Sequence, residues 1–168
     1  MNTSLESINE WLTLIANLGV LAGIIFLAFE VRQNTKASHS ESRQAVLTSS
    51  QIEILEFFRN PEVVAGIVKQ EKLTQEENIR VHFLLTAIMR LREYSWLQYQ
   101  NRTIDRDQWN TELSVIGIVL SAVRTRKWWN VVGKHQFNPN FANFVDRHLE
   151  TISVSNDYWV REMTWDDL

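Results

Sequence analysis

Nineteen consecutive residues, Trp11 to Phe29 (WLTLIANLGVLAGIIFLAF), carry no charge and only two strongly polar side chains, Thr13 and Asn17. Wound into a helix at about 1.5 Å per residue, the stretch reaches roughly 28 Å, close to the hydrocarbon thickness of a bilayer. It reads as a single transmembrane helix. Two rivals exist. A buried core helix is one, because this length lies near the lower limit for spanning. A signal peptide is the other, and it fits poorly. Met1 to Glu10 holds no Lys or Arg and carries Glu6 and Glu10, and the apolar run ends Leu27-Ala28-Phe29-Glu30-Val31 without a small-x-small cleavage site. Arg32, Lys36 and Arg43 all follow the apolar run. The positive-inside rule then predicts the N-terminus outside and the remainder in the cytoplasm.

Within the span, Gly19 and Gly23 are spaced GxxxG and Ala16 shares their stripe. Small residues at this spacing let two helix backbones approach closely in lipid. Asn17 lies on a neighbouring ridge, and a polar amide in hydrocarbon seeks an interhelical hydrogen bond. Ala16, Asn17, Gly19 and Gly23 are therefore the expected self-association face. Thr13 and Asn17, four residues apart, are the alternative: a polar ring lining the pore of a homo-oligomeric channel.

After the span the chain has the grammar of helices. Gly numbers 5 and Pro 2 in 168 residues, which disfavours a turn-rich β fold. Thr3 to Glu6 reads as a capping box. Val31 to Arg59 contains neither Gly nor Pro, which predicts a long helix; the serine-rich Ala37 to Ser42 reads first as a solvated helical face and second as a hinge. Asn60-Pro61 and Asn138-Pro139 each predict an Asn N-cap with Pro at the first helical position. The first of these helices is expected to run to about Glu71. Thr74 to Glu77 is another capping box, opening a helix from Gln75 to about Gln100 as the central core element. Asp105 is expected to cap a further helix running through Val123. Trp128 and Trp129 mark another piece, and Asn156 to Leu168 reads as an aromatic, acidic tail.

The chemistry-bearing patterns are few. With no cysteine there are no disulfides, thiolate zinc sites, iron–sulfur clusters or cysteine nucleophiles. His39, His82, His135 and His148 form neither HExxH nor a Glu-x-x-His pair. Phosphate-binding glycine loops and nucleophile elbows are absent. No catalytic residue, metal ligand or cofactor is assigned. Net charge is -3, which gives no basic field for nucleic acid. Arg90, Arg92 and Glu93 interrupt an apolar helix. Glu93 is expected to pair with Arg90, at i and i+3, or with another helix, as a structural ion pair. With a histidine, Arg90 and Glu93 are also the groups an enzyme site not visible in sequence would use. Arg124, Arg126, Lys127, Trp128, Trp129 and Lys134 form a basic–aromatic cluster. Its tryptophans read first as core anchors, and Arg124, Arg126, Lys127, Trp128 and Trp129 second as a lipid or partner contact.

The run Leu27 to Thr35 (LAFEVRQNT), then Asn60-Pro61-Glu62, the helix start at Leu73 to Glu77, Trp128-Trp129, Phe137 to Phe141 and Phe144 to Asp146 together resemble a widespread group of uncharacterised bacterial proteins with one N-terminal membrane anchor and a small helical cytoplasmic domain. The resemblance extends in order to Thr151. It implies a bacterial inner-membrane protein and no particular activity.

The expected fold is all-α: one N-terminal transmembrane helix continuing into a cytoplasmic helical bundle. The expected divisions are an anchor over 1–35, a juxtamembrane helix over 36–59, a bundle over 60–152 and a tail over 153–168. The expected role is a non-catalytic, self-associating scaffold, sensor or accessory protein. Its partners are the lipid bilayer, copies of itself and another membrane protein.

Overall fold

The computed structural model describes residues 2–164, with side chains given for 8–56 and 59–161. It is all-helical, and no strand occurs among the described residues. The helices are α1 (Asn2–Arg59), α2 (Pro61–Val68), α3 (Gln75–Gln100), α4 (Arg106–Val119), α5 (Val123–Val131), α6 (Pro139–Leu149) and α7 (Asp157–Thr164), with a 3₁₀ turn at Gly133–Gln136 before α6. The chain divides into two units, Met1–Glu41 and Ser42–Leu168.

The first unit is helix α1 up to Glu41. Its backbone is helical through Ala37 to Ser42, so the serine-rich stretch does not interrupt the helix. The capping side chains of Thr3 and Glu6 lie outside the described residues. Every described side chain from Ile8 to Glu41 is exposed.

The second unit builds one core from α3, α4 and α6, closed by α2, α5 and the C-terminal segment. Leu85, Ile88 and Met89 of α3, Ile116 and Leu120 of the α4 end, Trp129 of α5, and Phe141 and Val145 of α6 are fully buried. Val46, on the part of α1 that belongs to this unit, is also fully buried. Local chemistry sets three of the helix starts. Thr74 and Glu77 form the reciprocal capping box that starts α3, the Thr74 hydroxyl accepting from the Glu77 N–H at 3.2 Å and Glu77 accepting from the Thr74 N–H at 2.7 Å. Asp105 accepts from the Gln108 N–H at 2.9 Å and caps α4. Asn138 accepts from the Asn140 N–H at 2.9 Å ahead of Pro139.

Four expectations are corrected. Asn60 does not cap α2. Its amide instead donates back to the Glu56 carbonyl at 3.0 Å, closing the end of α1. Helix α2 stops at Val68, because the Arg124 guanidinium occupies the Lys69 and Glu71 carbonyls and takes the place of a further turn. The helix expected to continue through Val123 ends at Val119. There Thr125 and Arg126 donate to the Val119 and Leu120 carbonyls, and Ser121 donates to Ile118. Side-chain donors thus satisfy orphan carbonyls at a break that contains neither Gly nor Pro. Finally, the C-terminal stretch is more than a tail. It contains α7, whose buried Trp159 donates from its indole N–H to the Ile118 carbonyl at 3.1 Å.

Candidate functional site

The second half of α3 carries the densest buried charge among the described residues. Arg92 is 3% exposed, and its two terminal nitrogens reach opposite ways. One donates to Glu53 of α1 and the other to Glu112 of α4. Three helices are thereby tied through one guanidinium, whose fork geometry suits two carboxylates. The third donor, Nε, is buried without a hydrogen-bond partner. Two carboxylates on one cation leave the cluster one negative charge in excess when both ionise. Burial raises the Glu53 carboxyl above the usual range; Arg92 opposes this and the Glu112 charge adds to it.

Glu53 also faces an apolar cleft. The cleft has a volume of about 500 Å³ and is lined by Ser49, Ile52, Glu53, Glu56 and Asn60 from the end of α1, Val63 of α2, and Arg80, Leu84, Ala87, Ile88 and Leu91 of α3. The aliphatic wall follows from helical spacing: Leu84, Ile88 and Leu91 lie on one face. Its other charged groups are engaged. Arg80 pairs with Glu76 at 2.8 Å and Glu62 at 3.4 Å, and Glu56 pairs with Arg59 at 3.1 Å.

The expected Arg90–Glu93 pair forms at 2.7 Å. It reaches a second element as well. Glu93 accepts from the Asn138 N–H at 2.6 Å, Arg90 donates to the Gln136 carbonyl at 2.5 Å, and the guanidinium lies 4.7 Å from the Phe137 ring centre. The pair therefore fastens the start of α6 to α3. No histidine hydrogen-bonds to Arg90 or Glu93 among the described residues. His82 accepts from the Trp128 indole at 2.9 Å. His148 lies against Gly117, with its Nε2 buried and unpartnered. Burial lowers the His148 imidazole, and a hydrogen bond with the Leu113 backbone works against that shift. No group of three or more His, Asp or Glu side chains among the described residues is arranged to hold a metal ion.

The basic–aromatic cluster is distributed over the fold. Trp129 is fully buried and donates to Asp146 at 2.8 Å. Arg124 holds the end of α2, while Arg126 donates to Leu120 at 2.8 Å, Ile152 at 3.2 Å and Leu149 at 3.4 Å. Lys127 is exposed. In the first unit, Ala16, Asn17, Gly19 and Gly23 are all exposed, and a Cβ at either glycine would meet nothing within 4 Å. Thr13 is exposed too, and its hydroxyl donates to the Asn9 carbonyl at 2.8 Å.

Sequence reasoning singled out Arg92 but missed both of its partners. Glu112 had a legible signal: it shares an apolar helix face with Trp109 and Ile116, at i-3 and i+4, where a lone charge needs a partner. Glu53 continues the face marked by Val46, seven residues earlier, but no spacing rule links it to Arg92.

Compared with known protein families, with curated proteins and with solved structures, the chain matches none.

Proposed function

We propose that this chain is a membrane-anchored, self-associating helical protein of the bacterial inner membrane. Its N-terminus lies outside and its helical unit lies in the cytoplasm, where it serves as a scaffold, sensor or accessory subunit. One observation carries the anchor. Among the described residues a single helix, within Ile8–Glu56, is long and apolar enough to cross a membrane, and none of its most apolar stretch is buried inside the protein. From Ile8 to Val31, 14 large apolar side chains are about half exposed or more. At roughly 1 kcal/mol each, leaving them in water costs on the order of 15 kcal/mol, as much as the whole stability of a typical domain.

The distribution favours lipid over a partner protein. Leu14 and Ile15, and then Ile24, Ile25, Phe26 and Leu27, follow one another directly. Successive residues are about 100° apart around a helix, so the apolar surface is continuous on every side. A single docking face would cover only part of it. The absence of cations before the span and the presence of Arg32, Lys36 and Arg43 after it support the orientation. The bacterial setting comes from the resemblance of the chain's ordered motifs.

Self-association rests on the open flank at Gly19 and Gly23, beside Ala16 and Asn17. Crosslinking and mass measurement of the full-length protein in lipid nanodiscs test it. A dimer or higher assembly is expected, and Gly23→Leu is expected to weaken it. A strict monomer in lipid contradicts self-association, and release into carbonate without detergent contradicts the anchor.

A further inference from the structure

The cleft between the end of α1, α2 and α3 is not needed for anchoring or self-association. Its volume of about 500 Å³ lies in the range of small-molecule sites. Ile52, Leu84, Ile88 and Leu91 make its wall mostly aliphatic, which suits a ligand with an apolar body. One group on that wall is not balanced by the fold. Glu53 shares the single Arg92 guanidinium with buried Glu112, so the cluster holds two carboxylates for one cation. Arg80 does not redress the deficit, since Glu76 and Glu62 already pair with it. A carboxylate in an apolar wall with half a partner is unfavourable until a second cation arrives.

We propose that the cleft binds a small organic ammonium ion, an amine cation carried on an apolar body, with Glu53 as its carboxylate partner. The aliphatic wall takes the body, and the excess negative charge behind Glu53 selects the cation over its neutral or anionic counterparts. The site lies wholly within the second unit and does not depend on the anchor.

Isothermal titration of the full-length protein in phosphatidylcholine nanodiscs, against empty nanodiscs as blank, tests this with three probes of similar shape: phenethylammonium, 2-phenylethanol and 3-phenylpropionate. The ammonium is expected to bind saturably and roughly tenfold or more tighter than the alcohol, as a charge-assisted hydrogen bond implies. The propionate is expected to bind weakest. Glu53→Gln is expected to bring the ammonium-to-alcohol ratio near one while alcohol binding persists. Ala87→Trp, which fills the cleft and leaves Glu53 in place, is expected to abolish binding of both. Equal affinity for ammonium and alcohol in the native chain overturns the proposal. So does tighter binding of the propionate, a preference that survives Glu53→Gln, binding that survives Ala87→Trp, or no saturable binding of the ammonium.

Discussion

Helix α1 between Ile8 and Val31 and helix α3 between Val81 and Tyr99 have the same backbone geometry and opposite strategies for charge. The first excludes charge except at Glu10 and Glu30 and shows apolar side chains on every side. The second places Arg92 and Glu93 in the interior, hydrogen-bonded on both sides. Where a helix must satisfy lipid, a charge has no partner to meet and is excluded. Where helices pack on one another, a buried charge is tolerated once a second element supplies its counterion. Burial therefore decides less than the availability of a partner does.

Mirror-image substitutions break this comparison most directly. Arg92→Leu leaves Glu53 and Glu112 facing each other without a cation and is expected to cost about 3–5 kcal/mol. Denaturant unfolding followed by tryptophan fluorescence reads the loss. Leu21→Arg, in the middle of the apolar span, is expected to cost about 2.5–3.5 kcal/mol of membrane insertion, read as the share of protein recovered in the membrane fraction. A comparably small effect of both changes would remove the contrast.

Smaller effects sharpen it. A Cβ at Gly133 would stand 2.7 Å from the Trp128 ring, which the His82 hydrogen bond holds in place. Gly133→Ala should therefore destabilise the second unit by about 1–3 kcal/mol. Gly19→Ala meets open space and should leave that unit's unfolding unchanged. Glu53→Gln is expected to act in the opposite sense, raising stability at neutral pH by up to about 1 kcal/mol, because it removes the charge that Arg92 must share. The sign follows from the raised Glu53 carboxyl. Its contribution to stability is present below the unfolded value and is lost as pH rises through the folded one, so the gain from Glu53→Gln should vanish in acid. His148 titrates the other way. Its imidazole is lowered in the folded state, so its contribution is full above the unfolded value near 6.5 and falls as pH drops through and below it. His148→Gln should flatten that part of the stability–pH curve.

Much of this architecture was legible in the sequence because it rests on local rules. The Thr74–Glu77 box, the Asp105 and Asn138 caps and the Arg90–Glu93 pair each depend on residues within four positions of one another, and the apolar run is read from one unbroken stretch. The features that were missed depend on side-chain donors and packing that no local spacing rule announces. Helix α2 ends early where Arg124, more than fifty residues on, takes the Lys69 and Glu71 carbonyls that follow it. The α4–α5 break is made by side-chain donors of Ser121, Thr125 and Arg126 rather than by a breaker residue. The C-terminal stretch gains a helix whose Trp159 finds the Ile118 carbonyl. The cleft and its carboxylate need α1 and α3 brought side by side, and neither helix announces the other.

The chain contains no cysteine, so single-cysteine variants report position without background. The decisive measurement is labelling of Leu18→Cys, Leu21→Cys and Ile25→Cys by a membrane-impermeant maleimide, in right-side-out and inverted membrane vesicles. The anchored reading predicts no labelling of any of the three from either side until detergent is added, with Lys127→Cys, exposed on the second unit, labelled only in inverted vesicles. Labelling of the three positions in intact vesicles, or recovery of the protein in the soluble fraction, would contradict it.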